Sequence, residues 1–262
     1  MKTRTLWFAA VLILTASATT LAASGGNSAK VPKSRAAWRA GYEYSVLIPS
    51  EPPENLPSGT VEVRELFLYT SGWSKAIQPY LQKWLESKGN AVRYVREPAI
   101  AFPHAREQAR MYYTLKALDR EDLHLAFFDF VREEHRYDVF HTIRHPAKEA
   151  IFDMNIAFAK RNGIESQAFQ ETYTARDIDN QVIEAEIDAT GYALNGTSTI
   201  VVNNHYSTSL QRFMGADPAC ADRGPEPADY ERFFTLIDQL VSTALTEKPI
   251  TPTAAPSAPE GS

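Results

Sequence analysis

The 262-residue chain contains one cysteine, Cys220. A single thiol excludes an intramolecular disulfide and a paired redox-active dithiol. Cys220 sits in GADPACADRGPEP, which reads as a surface loop. It is either an incidental loop thiol or one that pairs between chains, as in a Cys220-linked dimer. A basic stripe is also missing. The formal net charge is −5 at pH 7, whereas nucleic-acid binding needs clustered Lys and Arg to neutralise phosphates. No nucleic-acid partner is expected. The N-terminal apolar run LWFAAVLIL falls well short of the ~20 residues that a spanning helix needs. A full nucleophile-elbow pattern and an HExxH zinc pattern are absent too.

What is present begins with that N-terminus. A basic MKTR, the apolar run and a small-residue TASATTLAA form a secretory signal over residues 1–23, with cleavage expected after Ala22 or Ala23. No cysteine follows it, so a lipoprotein anchor is not expected. The reading is export to a bacterial periplasm, with no stable membrane insertion after cleavage. Hydrophobic residues make up 44% of the chain, enough for one or two domains with a core. Residues 24–41 read as a flexible lead-in. Residues 246–262, rich in Pro, Ala, Ser and Thr, read as a disordered tail.

Between these ends the pattern changes twice. YEYSVLIPS (42–50) alternates like a strand, and VEVRELFLY (61–69) has the β-propensity of a buried one. The stretch FLYTSGWSKAIQPYLQKWLE (67–86) then reads as strand, tight turn and amphipathic helix. Ser71 or Ser74 caps the helix, and Ile77, Leu81, Trp84 and Leu85 share one face. Pro79 should kink it, and Gly89 is placed as a left-handed C-terminal cap. AVRYVREPA (91–99) completes a βαβ unit with parallel strands. From about Pro103 to Ile187 only helical periodicity appears. STIVVNNHYS (198–207) restores a strand, followed by a two-residue hairpin turn at Asn203–Asn204. DYERFFTLIDQLVSTAL (229–245) is a last amphipathic helix. The boundaries are therefore a first α/β part over 42–102, an inserted helical domain over 103–190, and a second α/β part over 191–245.

This order, with VEVRELFLYTSGWSKAIQPYLQKW, FPHAREQARMYYTLKALDREDLHLAFFDFV and STIVVNNHY at their separate places, resembles the DsbA family of periplasmic thiol–disulfide oxidoreductases over roughly residues 42–245. The resemblance implies an α/β thioredoxin-like fold with an inserted all-helical domain. It also implies which positions carry the family's chemistry. Ser71 stands at the nucleophilic cysteine, Gly72 and Trp73 at the intervening Pro-His, and Ser74 at the resolving cysteine. Ser198, preceded by Thr197, stands at the cis-proline, whose loop presents an extended edge to substrate peptide. Glu65 matches the buried acidic residue beside the active site.

No catalytic residue of the family is therefore intact. Thiol–disulfide exchange needs a thiolate and a resolving thiol, and a serine hydroxyl supplies neither. Ser71 or Ser74 as a hydrolytic nucleophile would need a base within reach, and no His lies in the turn; helix capping is the simpler role. A non-proline cis bond costs ~2.5–4 kcal/mol, so the Thr197–Ser198 bond is expected to be trans and its loop reshaped. Glu65, if buried, needs protonation or a Lys or Arg partner, and Lys75 is near in sequence. Trp73, at a helix start, either offers a binding hot spot or fills space against the helical block. His135, His141 and His145 are read as solvated helix-end residues, since Pro146 disfavours helix at His145. No metal or cofactor is expected.

The function expected is a protein without redox-active cysteines that binds a periplasmic protein or peptide client through Trp73, Thr197, Ser198 and Glu65, as a chaperone-like factor. Two alternatives stand beside it. One is thiol chemistry through Cys220 with a partner. The other is a structural role in an envelope complex.

Overall fold

The computed structural model describes residues 38–48, 51–100, 105–133, 148–192, 194, 196–214 and 224–246. Residues 1–37, which include the segment read as a signal, residues 247–262 of the expected tail, Cys220, His135, His141 and His145 lie outside them.

Five strands form one mixed sheet in the order β1-β5-β4-β2-β3. They are β1 (Ser45–Val46), β2 (Val61–Phe67), β3 (Val92–Pro98), β4 (Thr199–Val202) and β5 (Tyr206–Ser209). β2 and β3 pair in parallel, as the βαβ spacing requires, while β4 pairs antiparallel with both β2 and β5. Seven α-helices are found among the described residues. α1 (Gly72–Glu86) links β2 to β3. α2 (Ala105–Ala117), α3 (His124–Arg132), α4 (Lys148–Arg161), α5 (Ser166–Tyr173) and α6 (Arg176–Gly191) lie between β3 and β4, and α7 (Pro227–Thr246) closes the fold. This is the α/β thioredoxin-like architecture with a helical insertion.

β2 organises the core. Its side chains alternate between the two faces of the sheet, and both faces are covered, so that Glu62 and Glu65 are buried along with its apolar residues and Arg64 is half-buried. Val61 and Val63 join Ile200, Val202 and Tyr206 beneath Ile77, Leu81 and Trp84 of α1 and Phe233, Ile237 and Leu240 of α7. On the opposite face Leu66 packs with Leu47, Val201 and Tyr192. The end of β2 then enters a separate aromatic cluster. Phe67 and Tyr69 pack with Tyr112 of α2, Phe127 and Phe128 of α3, Phe158 of α4 and Phe169 of α5. The turn that follows, residues 70–74, therefore sits where the sheet's core and the insertion's core meet.

Local details differ from the sequence reading in three places. The first strand is shorter than 42–50, because only Ser45 and Val46 reach β5. The hairpin loop holds three residues rather than two. Asn203 and Asn204 both take positive φ (53° and 52°), but Val202 pairs with Tyr206, so His205 joins the loop. α1 ends at Glu86 with Ser87 as its C-cap, and Gly89 (φ 51°) opens a short 3-10 turn instead of capping the helix. Pro79 lies inside α1.

Candidate functional site

The turn is held by its own serines. Ser71 is the N-cap of α1 and its Oγ accepts from the Ser74 amide at 3.2 Å. This satisfies one of the amides that a helix start leaves open. One turn on, the Ser74 side chain points inward and is fully buried. Its Oγ accepts from the Leu68 amide at 3.1 Å and lies 3.2 Å from the Ser198 hydroxyl. Ser198 donates to Glu65 Oε1 at 3.0 Å. A hydroxyl has one proton to give, so with the Ser198 proton on Glu65, Ser74 is the donor to Ser198. The result is a directed chain: Leu68 amide, Ser74, Ser198, Glu65.

Glu65 is its acceptor end and is wholly inaccessible to solvent. Gln78 Nε2 donates to its Oε1 at 2.8 Å and also to the Ser74 carbonyl at 2.8 Å. The Tyr94 hydroxyl donates to Oε2 at 2.5 Å. Arg96, directly opposite Glu65 in the β2–β3 register, approaches Oε2 at 3.9 Å. Burial pushes the carboxyl above its ordinary value, against the pull of the Tyr94 hydrogen bond, the Arg96 charge and the Ser198 and Gln78 hydrogen bonds. The expected Lys75 partner is not used. Lys75 lies on the outer side of α1 and pairs with Asp129 of α3.

The Thr197–Ser198 peptide bond is cis, which overturns the expectation of a trans bond. The local preference of a non-proline residue does not decide the matter here. Ser198 is tied by its hydroxyl to Glu65 and Ser74, and the next residue, Thr199, pairs with both Leu66 and Ser209. Gly196, two residues earlier, has φ 101°. A Cβ there would fall 1.3 Å from Gln211 Oε1, so any other residue would strain the backbone and displace that side chain.

The structure thus brings Glu65, Ser74 and Ser198 into one buried group, with Ser71 joined through the helix cap. Trp73 and Thr197 stay outside it. Both are half-buried, and Trp73 packs against the α1–α7 side of the sheet. The Trp73 ring therefore fills space against the sheet's core rather than the helical block, and keeps part of its surface accessible. Above Gly72 lies the Arg132 guanidinium, whose Nη1 is 3.2 Å from where a Cβ would be. The turn is tied to the insertion from the other side as well, since the Thr70 amide donates to Gln108 Oε1 of α2 at 3.1 Å.

Chemically, this arrangement is a closed hydrogen-bond unit. The Ser74 and Ser198 hydroxyls are spent on internal partners and are inaccessible to substrate, which argues against a hydrolytic nucleophile. Among the described residues no group of three or more His, Cys, Asp and Glu side chains could hold a metal ion. The sequence reading missed Gln78, Tyr94 and Arg96. Their only sequence signal is position: Gln78 is one helical turn beyond Ser74, and Tyr94 and Arg96 alternate on β3 with the parity of Glu65.

The chain makes a direct prediction about its serines. Ser74→Ala leaves the buried Leu68 amide without an acceptor and is expected to cost about 1–3 kcal/mol in urea denaturation. Ser71→Ala removes a solvent-accessible cap and is expected to cost about 1 kcal/mol. A Ser74→Ala variant as stable as the parent would show that the chain does not form.

No protein-family model matches the sequence. Curated relatives do. The chain is 31% identical over 170 residues to the thiol:disulfide interchange protein DsbA of Pseudomonas aeruginosa, covering 64% of this chain and 74% of that protein. It is 26% identical over 222 residues to the DsbA of Bordetella pertussis, covering 84% and 92%. Among solved structures, the crystal structure of Pseudomonas aeruginosa DsbA superposes with a TM-score of 0.63 at 26% identity, over 79% of this chain and 94% of that one. The oxidoreductase NmDsbA1 of Neisseria meningitidis shares the fold, with a TM-score of 0.55 at 16% identity over 79% and 95%.

Proposed function

The chain belongs to the DsbA family of thiol:disulfide interchange proteins, and we propose that within it this protein is non-catalytic, binding peptide or protein clients in the periplasm instead of exchanging disulfides with them. The observation that carries the proposal is the fate of the two sulfur positions. Ser71 is a helix cap and Ser74 is a buried link to Ser198 and Glu65. Exchange needs a thiolate and a resolving thiol, and one cysteine cannot supply both.

What supports binding is the combination left at the surface. Trp73 and Thr197 are half-buried on two segments, α1 and the loop before β4, that Ser74 and Ser198 hold together. An apolar ring beside ordered backbone suits an extended, partly apolar chain. Export is supported by the N-terminal signal pattern and the family. No described helix is long and apolar enough to cross a membrane.

The test uses the full-length exported protein and citrate synthase diluted from denaturant. The wild type is expected to suppress light scattering at near-equimolar ratio, Cys220→Ala to match it, and Trp73→Ala to lose the effect several-fold. Suppression no better than that of an inert protein at equal concentration would remove the proposal, as would full suppression by Trp73→Ala.

A further inference from the structure

The second buried polar group lies on the opposite face of β2, away from the serine chain. Its centre is Arg64. The guanidinium contacts Glu97 of β3, donates to Glu62 Oε1 at 2.9 Å and stands 4.0 Å from Asp188 near the end of α6. Glu62 and Glu97 are both buried, with 3% and 5% of their surface accessible. Arg93 takes the other Glu62 oxygen at 2.7 Å and also donates to the Glu54 carbonyl at 3.2 Å, so it is committed to Glu62. Arg64 serves Glu97 and Asp188 besides its one Glu62 oxygen.

The charges do not balance. Three carboxylates, Glu62, Glu97 and Asp188, face two guanidiniums, Arg64 and Arg93, and Glu184, one turn before Asp188 on α6, adds its charge at Asp188. Tyr113 of α2 and Tyr192, just after α6, also face Glu97, close enough for its charge to bear on their phenols. Tyr192 lies beneath Arg64 at 5.6 Å. Glu97 Oε1 and Arg64 Nε are buried without hydrogen-bond partners. The group bridges two parts of the fold, because Glu62, Arg64, Arg93 and Glu97 belong to the sheet while Asp188 and Tyr113 belong to the helical insertion.

We propose that Arg64, Glu97 and Asp188 form a proton-responsive latch between the sheet and the last helix of the insertion. With Glu97 ionised, its charge and that of Asp188 repel each other across one guanidinium, and the end of α6 is held less firmly. With Glu97 protonated the surplus charge is gone, Arg64 is shared by Glu62 and Asp188, and α6 is drawn to the sheet. The pH window fits this role. Burial pushes the Glu97 carboxyl up to about 7 from its ordinary 4.5, against the attraction of Arg64. The folded state thus holds this proton more tightly than the unfolded state. The resulting stabilisation is complete below about 4.5 and is lost as pH rises through about 7.

The test compares thermal unfolding midpoints of the wild type, Glu97→Gln and Asp188→Asn between pH 5.5 and pH 8. Differences between proteins cancel titrations elsewhere in the fold. The wild-type midpoint minus that of Glu97→Gln is expected to fall by several degrees from pH 5.5 to pH 8. Asp188→Asn is expected to lower the midpoint at pH 6 and to leave it unchanged or raised at pH 8. Should either variant fail to fold, hydrogen exchange of the wild type replaces it. The amides at 185–191, corrected for intrinsic rates, are expected to be several-fold better protected at pH 6 than at pH 8. Parallel pH curves for the wild type and Glu97→Gln, or equal protection at the two pH values, would overturn the latch.

Discussion

Glu65→Ala is expected to destabilise the protein by about 3–5 kcal/mol in urea denaturation, whereas Glu65→Gln is expected to cost less than about 1.5 kcal/mol. The difference follows from what surrounds the carboxyl. Alanine removes the acceptor shared by the Gln78 amide, the Ser198 hydroxyl and the Tyr94 hydroxyl in a site without solvent, leaves a cavity there, and takes from Arg96 the carboxylate it faces. Glutamine keeps the shape and one acceptor oxygen, and the Tyr94 hydroxyl can turn to accept from the new amide. The pH trend gives a second readout. Burial raises the Glu65 carboxyl above its ordinary value, so the folded state favours the protonated form. Ionising Glu65 therefore costs the wild type stability as pH rises above the ordinary carboxylate range, a contribution that the glutamine variant lacks. Its relative stability should improve from pH 5 to pH 8. Equal cost for alanine and glutamine would mean that the hydrogen bonds to Glu65 contribute little.

The second large effect is acid sensitivity from His124. This side chain is buried among Phe67, Phe128 and Tyr69, with ring centroids 4.7, 5.0 and 5.3 Å away. Its Nδ1 lies 2.9 Å from the Tyr69 hydroxyl, and its Nε2 has no hydrogen-bond partner. Burial, helped by the Arg96 charge, lowers its pKa from 6.5 to about 2. The imidazole is neutral in the folded state, while the unfolded chain takes up a proton below 6.5. Stability present above 6.5 is thus lost as pH falls, by about 1.4 kcal/mol per pH unit, or roughly 2–3 kcal/mol by pH 4.5. The carboxyls of Glu65 and Glu97 act in the opposite sense, so the wild type alone does not isolate the effect.

The Tyr69→Phe/His124→Phe pair does isolate it. Replacing both partners of a buried hydrogen bond with apolar rings of similar shape is nearly neutral, and both rings belong to an aromatic cluster. The double variant is expected to gain on the wild type as pH drops from 6.5 to 4.5. Tyr69→Phe alone strands the imidazole and is expected to cost about 1–3 kcal/mol at neutral pH. Denaturation curves of wild type and double variant that shift in parallel with pH would contradict a neutral buried His124.

Much of this architecture is legible in the sequence alone. VEVRELF, the amphipathic helix after it and the strand AVRYVREPA have the order and spacing of a βαβ unit, and the resemblance puts Ser71, Ser74, Glu65 and Ser198 at the family's functional positions. The partners of Glu65 were less legible, for a physical reason. Sequence distance suggested Lys75, but on a helix Lys75 points away from the sheet, while Arg96 is brought opposite Glu65 by strand register alone. Gln78 and Tyr94 are polar residues on a buried face, and periodicity scores such residues as exceptions. The Thr197–Ser198 geometry is not legible in the sequence, because tertiary contacts to Glu65 and Ser74 prevail there over the local preference for a trans bond. Arg64 and Glu97 have no distinguishing sequence signal, and the pairing of β2 with β3 brings them together.

The central claim is that the turn at 71–74 has exchanged disulfide chemistry for a structural hydrogen-bond chain. Reduction of insulin by dithiothreitol tests it most directly, followed by the turbidity of the released B chain, with the DsbA of Pseudomonas aeruginosa as the cysteine-bearing comparison. The wild-type protein, with Cys220 in place, is expected to leave the lag time equal to that of buffer at every concentration. A lag that shortens in proportion to protein concentration would contradict the account.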